Sequence, residues 1–330
     1  MVQNYKSFDV IKIILSFFVI ALHVNVFTTS SIELRFLRLA VPVFFIISGF
    51  FLQKSYATGG LEKINKYIKK TLKLYLLYTL IYFPLTLFAF YQSEKPITHC
   101  LFAFIRNVIF VGENSYSYPL WYLLALIYAT IMIRFLIIKN VSPIKILLVG
   151  GLFTLSGLMV EKALASHHDL YFLNQLLSLY KQIFVTTRNG FFIGFGYLCM
   201  GYFIGFYEEI LKRYRNFHGL FFLIFYIIFL ISDINLSLNL AAMMLVCFLL
   251  RCPIFAEIHN IWMRNMSTLI YFFHMYFVVI IYYFYHIFTK IELSFCVNFI
   301  ITSITTTFFC AVLLNLISKD KYKILKSLLG

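Results

Sequence analysis

Long apolar segments alternate with short polar ones along the whole chain. Ten segments have the continuous apolar character of transmembrane helices, which need about 20 residues to cross the hydrocarbon core. The strict alternation of a β-barrel strand is missing from them. The pattern therefore predicts an all-α fold, a polytopic membrane helical bundle of about ten spans. These lie near residues 8–27, 39–55, 70–91, 119–138, 144–160, 190–207, 217–232, 235–250, 267–288 and 294–317.

Two further apolar segments do not fit a full span. Residues 97–110 are too few and include His99 and Arg106, and residues 170–185 are interrupted by polar side chains. We expect both to lie at the membrane interface as amphipathic helices.

Composition agrees with a membrane protein and not with a soluble one. The chain is 62% hydrophobic, 20% aromatic and 12% charged, which leaves too little polar surface to face water. No repeat or low-complexity linker divides it, so we expect one integral-membrane domain over residues 1–330.

Membrane topology explains the net charge of +15 better than nucleic-acid binding does. If the N-terminus is cytoplasmic, the predicted inner loops and termini hold 19 lysines and arginines and the outer loops hold 8. This excess agrees with the positive-inside rule. We therefore expect both termini in the cytoplasm, the lipid bilayer as surroundings and no nucleic-acid partner.

The first span carries polar side chains that are strong candidates for a functional site. Lys12 and His23 are eleven residues apart, close to three helical turns, so both leave one face about 16 Å apart along the axis. Such groups are costly in hydrocarbon and usually face a bundle interior or a wet cavity. We expect them to line a polar shaft. Asp9 is expected to pair with Lys12 or to face the inner headgroups.

Candidate binding residues also flank the second span. Arg35 and Arg38 are three apart and share a helical face, where two guanidinium groups suit an anionic group. The alternative is that both snorkel to lipid headgroups. Ser48 lies in mid-span beside Gly49, which permits close backbone approach.

Four more residues join this list from later spans. Trp121 opens the fourth span, where an aromatic belt is the alternative to substrate binding. Arg188 and Asn189 precede the sixth span, where they either reach the outer mouth or cap a loop. His274 is expected in the inner third of the ninth span, lining a donor path or bonding to another helix.

A metal site is not expected. The six cysteines lack metal-ligand spacing, and most lie within apolar runs. The adjacent histidines His167 and His168 lack the further ligands that a metal needs.

Several motifs together resemble acyltransferase family 3. They are a basic residue, ten positions and a histidine in the first span, then RFLRLAVPVFFIISGFFL, PLWYLLALI, TRNGFFIGF and LIYFFHMY. The resemblance covers five of the ten spans, and the order of the motifs is more specific than any one of them. The family consists of membrane proteins of about ten helices that move acyl groups, usually acetyl, onto extracytoplasmic acceptors.

The resemblance implies an O-acyltransferase of the bacterial cytoplasmic membrane. Acyl-CoA, in the form of acetyl-CoA, is the implied donor, and a surface glycan is the implied acceptor. His23 would be the general base, Lys12 would attract the donor's phosphate or pantetheine oxygens, and Arg35 and Arg38 would hold the acceptor.

One departure from the family pattern points to a particular branch. The family has arginine where this chain has Lys12, and lysine lacks the planar guanidinium fork. In this respect the chain is similar to the membrane half of the serine racemases of vancomycin resistance, thought to move an amino acid. Two alternatives therefore stand beside the enzyme: a transporter of a small amino acid or acyl compound, and a structural partner of a glycan export complex.

Overall fold

A computed structural model of the chain describes residues 5–24, 32–166, 171–252, 261–285 and 294–329. It is helical at all ten predicted spans, which confirms the all-α fold. The ends of the first and ninth predicted spans, residues 25–27 and 286–288, lie outside the described residues, as do His167 and His168.

The chain divides into two compact units, and the boundary falls within one long helix, α3. The first unit comprises Met1–Ile47 and Tyr207–Gly330, and the second comprises Ser48–Phe206. The prediction of a single domain over residues 1–330 stays a prediction.

The first unit contains eight α-helices or parts of α-helices within its described residues. They are α1 (Lys6–His23), α2 (Ile32–Leu37), the first turns of α3 (Ala40–Gln92), α9 (Glu208–Leu211), α10 (Arg215–Ser232), α11 (Asn235–Leu249), α12 (Ile261–Phe284) and α13 (Phe295–Ser318). Helix α1 packs on α12, α12 packs on α13, and α10 forms a pair with α11. Asp233, in the left-handed region with φ of 55°, ends α10.

Hydrogen bonds from side chains hold the start of α1. The Tyr5 hydroxyl donates to the buried Glu208 carboxylate at 2.9 Å, and Lys212 also pairs with Glu208. The Ser7 hydroxyl donates to the Leu249 carbonyl at 2.6 Å. These bonds supply partners for polar groups that would be costly to bury alone.

The second unit contains the rest of α3 and five further helices. They are α4 (Ile97–Arg106), which continues as a π-helical turn (Asn107–Val111), α5 (Trp121–Ile138), α6 (Pro143–Ala165), α7 (Tyr171–Phe184) and α8 (Ile193–Phe206). Helices α4 and α7 cover the two segments predicted to be amphipathic. Helix α3 spans the second and third predicted segments and is kinked at Gly59 and Gly60, where Gly60 has φ of 58°.

Helix lengths agree with a multi-pass membrane protein. Within the described residues, six helical segments are long and apolar enough to cross a membrane, among them Pro143–Ala165 and Phe295–Ser318. Three further apolar segments, Ile97–Val111, Ile193–Phe206 and Asn235–Leu249, are shorter. Helix α1 has 18 residues and carries three charged side chains in its first two turns, Lys6, Asp9 and Lys12.

Small residues let α8 lie close to its neighbours in the second unit. A side chain added at Gly150 of α6 would place its Cβ 2.6 Å from the Cβ of Cys199 on α8. Gly49 of α3 similarly approaches the backbone of Leu198 and Gly201. Membrane helices pack through such small residues because lipid offers no hydrophobic advantage to larger apolar ones.

We expect Gly150→Ala to destabilise the protein by about 1–3 kcal/mol, because the new methyl group overlaps Cys199 in a packed interface. Gly151→Ala is the matched control. It gives the same gain in helix propensity one position along α6, but its Cβ meets nothing within 4 Å. Unfolding of the two purified variants in detergent measures the difference. Equal stability would contradict the packing argument.

Candidate functional site

An ion pair between a buried carboxylate and a partly exposed guanidinium joins α1 to α12. The Asp9 carboxylate, 1% exposed, accepts two hydrogen bonds from Arg264, from Nε at 2.9 Å and from Nη2 at 2.8 Å. This bidentate geometry is the strong form of a charge-assisted hydrogen bond. The expectation that Asp9 pairs with Lys12 or faces the headgroups was therefore incomplete, because the direct partner of Asp9 is an arginine 255 residues away.

Lys12 belongs to the same cluster of charges. It lies one turn beyond Asp9 on α1 and interacts electrostatically with Asp9 and with Arg264. The cluster of Lys12, Asp9 and Arg264 thus holds two cations and one carboxylate. Its net charge is positive, and the Arg264 side chain is 45% exposed, so the cluster is suited to an anionic ligand.

Sequence reasoning missed Arg264 because it placed the start of the ninth span at residue 267. Helix α12 begins at Ile261, so Arg264 lies within its first turn. Two signals were available: the apolar residues Ile261 to Met263 before it, and the need of Asp9 for a cation within the membrane.

Two imidazoles meet farther along the same helix pair. The rings of His23 and His274 have centroids 5.2 Å apart and planes inclined by 36°. His274 is fully buried, and its Nδ1 lies 2.8 Å from the Tyr271 carbonyl oxygen and 3.2 Å from that of Ile270. His23 lies at the end of α1 and is half-buried. The structure therefore places His23 and His274, two predicted site residues, side by side.

Helix α12 extends from Ile261 to Phe284, and His274 lies near the middle of that range. The position expected for His274, in the inner third of the ninth span, stays a prediction. The Asp9–Arg264 and His23–His274 contacts occur in the same order along both helices, so α1 and α12 run in the same direction.

Arg35 and Arg38 make specific contacts with the turn between α10 and α11. Arg35 donates from Nη1 to the Leu230 carbonyl at 2.8 Å, and Arg38 donates from Nη1 to the Asp233 carboxylate at 2.6 Å. Arg38 also donates from Nη2 to Asn235 at 2.7 Å. These bonds explain how two arginines are held here without lipid headgroups. Their role in substrate binding stays a prediction.

The second unit holds the other predicted site residues. The Ser48 and Tyr122 hydroxyls are 2.8 Å apart and share a hydrogen bond. The Arg188 guanidinium lies 5.9 Å from the centre of the buried Trp121 ring, a cation–π arrangement. Trp121 is thus a packing partner within the fold and not a side chain presented to lipid.

Glu113 is a neighbour of Arg188 that sequence reasoning did not identify. It lies in the loop before α5, and burial raises the pKa of its carboxyl above the usual range, while Arg188 opposes that shift. The charge of Arg188 is therefore partly matched within the second unit.

Asn189 orders the chain before α8. Its Oδ1 accepts hydrogen bonds from the backbone of Phe191 and Phe192, at 3.0 and 3.2 Å. Its Nδ2 donates to the Tyr180 hydroxyl at 2.9 Å. The geometry favours the loop-capping alternative for this residue, and its role in substrate binding stays a prediction.

We expect Asp9→Asn to destabilise the protein by about 1–3 kcal/mol, because it weakens a charge-assisted pair of which one partner is buried. The loss is smaller than for a fully buried pair since water reaches part of Arg264. Unfolding in detergent measures it.

Glu62→Gln is the matched carboxylate-to-amide control for this test. Glu62 pairs with Lys66 on α3, and both side chains are mostly exposed, so no measurable change is expected. An Asp9→Asn variant as stable as the Glu62→Gln variant would refute the anchoring role of the pair.

Comparisons with known proteins agree with this architecture. A family model described as an acyltransferase domain, that of acyltransferase family 3, matches residues 5–315. An amino-acid racemase of Enterococcus faecalis is 28% identical over 220 residues, which cover 65% of this chain and 29% of that protein. A serine/alanine racemase of Enterococcus gallinarum is 31% identical over 208 residues, or 58% of this chain and 27% of that protein.

The matched segments cover less than a third of the length of these curated relatives. No solved structure matches it.

Proposed function

This chain belongs to acyltransferase family 3, and from that premise we propose that it is a membrane-bound O-acyltransferase. It takes an acyl group, acetyl in the simplest case, from cytoplasmic acyl-CoA. The acceptor is a hydroxyl group of an extracytoplasmic glycan of the cell envelope, and the membrane is the bacterial cytoplasmic membrane.

The observation that carries the proposal is the pairing of α1 with α12. One contact of this pair is a net-positive cluster of Lys12, Asp9 and Arg264, and another is the imidazole pair of His23 and His274. A transfer between two sides of a membrane requires both a group that attracts an anionic donor and a base for the acceptor. The two helices provide one of each.

The donor is polyanionic, and the cluster is suited to one of its phosphate groups. Arg264 is held by Asp9 through Nε and Nη2, which fixes the guanidinium plane. Lys12 adds a compact second charge nearby. In this proposal the cluster binds the phosphate, and the thioester extends along the helix pair.

His23 acts as the general base. One ring nitrogen takes the proton of the acceptor hydroxyl while that oxygen attacks the thioester carbonyl. The C–S bond then breaks, and the leaving thiolate takes the proton from the imidazolium. Atoms and charges balance without a metal ion or a redox cofactor among the reactants.

A second candidate function is transport of a small amino acid or acyl compound. The observation that favours it is that the matching relatives are named amino-acid and serine/alanine racemases, proteins that act on amino acids. A protein that only moves such a compound across the membrane needs no acyl donor.

We expect His23→Ala to lower acyl transfer by at least about 100-fold, the contribution typical of a general base. The measurement is acceptor-dependent release of the CoA thiol by purified protein supplied with acetyl-CoA and chito-oligosaccharides. His99→Ala, a substitution of an exposed histidine on α4, is the control and should retain full activity.

Vesicles that contain the purified protein separate the two candidate functions. The transporter predicts uptake of labelled serine without acetyl-CoA, and the acyltransferase predicts none. Serine uptake together with no CoA release would overturn the proposed enzyme.

A further inference from the structure

The hydrogen bonds of His274 determine which of its ring nitrogens carries a proton. Nδ1 lies 2.8 Å from the Tyr271 carbonyl oxygen and 3.2 Å from that of Ile270. Carbonyl oxygens only accept hydrogen bonds, so Nδ1 must be the donor. In the neutral imidazole Nε2 is then left with its lone pair, as a hydrogen-bond acceptor.

This acceptor is buried, and it has no hydrogen-bond partner in the part of the chain that the structure describes. Most buried polar atoms in native proteins are satisfied, so an exception calls for an explanation. A purely structural role does not provide one. Phenylalanine at this position would fill a similar volume without a buried lone pair, and serine or threonine would bond to the same carbonyls of the preceding turn.

A candidate for the donor is the other imidazole. His23 and His274 have ring centroids 5.2 Å apart, and both belong to the first unit. His23 is half-buried whereas His274 is fully buried, so His23 is the more accessible of the two imidazoles. Catalytic hydrogen bonds are often long or misaligned without substrate and close only in the reacting complex.

We propose that His274 is the positioning residue of His23, with Nε2 of His274 accepting a hydrogen bond from the His23 ring during transfer. The inference rests on the proposed function, in which His23 is the general base. A base held by a third group is the arrangement that activated nucleophiles use in unrelated enzymes.

The bond leaves the reaction balanced. One nitrogen of His23 takes the acceptor proton and later returns it to the leaving thiolate, while its other nitrogen keeps its own hydrogen. That hydrogen points to Nε2 of His274, which accepts the bond and gains no proton. The bond selects the His23 tautomer with an unprotonated nitrogen toward the substrate and stabilises the imidazolium that forms.

Two substitutions separate this role from a structural one. The asparagine amide in His274→Asn takes the place of Nδ1 and keeps the bond to Tyr271, but nothing replaces Nε2. The longer glutamine side chain in His274→Gln places its amide oxygen near the Nε2 position and restores an acceptor. Each variant is assayed by CoA release with acetyl-CoA and chito-oligosaccharides.

We expect His274→Asn to lower kcat by about 10-fold or more, with KM for acetyl-CoA unchanged, and His274→Gln to recover part of the loss. Unchanged kcat in His274→Asn, where His23→Ala is inactive, would overturn this inference and leave the proposed function standing. An active His23→Ala variant would overturn the proposed function itself.

A second measurement does not depend on activity, and it needs the variants only to assign signals. In wild-type protein labelled with ¹⁵N-histidine, the ring signals that His274→Asn or His274→Gln removes belong to His274. We expect them to show a protonated Nδ1 and an unprotonated Nε2. Signals of the opposite tautomer would refute the inference even if no acyl transfer is detected.

Discussion

The buried carboxylate of Asp9 is the constraint on which the first unit depends. A charge removed from water must find a charged partner, and Asp9 finds it in Arg264 on α12. Once these two residues are joined, the relative position of α1 and α12 is set at one point. The contact of His23 with His274 sets it at a second point.

Two kinds of contact between helices are seen in the two units. The first unit joins its helices through polar contacts between distant segments, such as Tyr5 with Glu208 and Arg38 with Asp233. The second unit brings backbones together through small residues around α8, as at Gly49 and Gly150. Charged pairs tolerate little displacement, whereas small-residue contacts mainly demand that no volume be added.

Family membership and the arrangement of charges support the same chemistry, while the names of the relatives widen the range of possible substrates. Amino-acid racemases of more than three times the matched length share only part of their sequence with this chain. The lysine at position 12, where the family resemblance expects arginine, is accompanied by an arginine from α12. A guanidinium is thus present in the cluster, and its Nε and Nη2 edge is bound to Asp9.

The sequence by itself determined the set of helices. It also identified the polar residues that stand out within the apolar runs of these helices. The described parts of all ten predicted spans are helical, because length and continuous hydrophobicity are local properties. Lys12, His23 and His274 were recognised for the same reason. Only the tertiary structure decided their partners. Arg264 lies 255 residues from Asp9, and His274, near the middle of α12, lies beside His23 at the end of α1. No periodicity encodes such pairs, since they depend on which helices lie side by side and at what height.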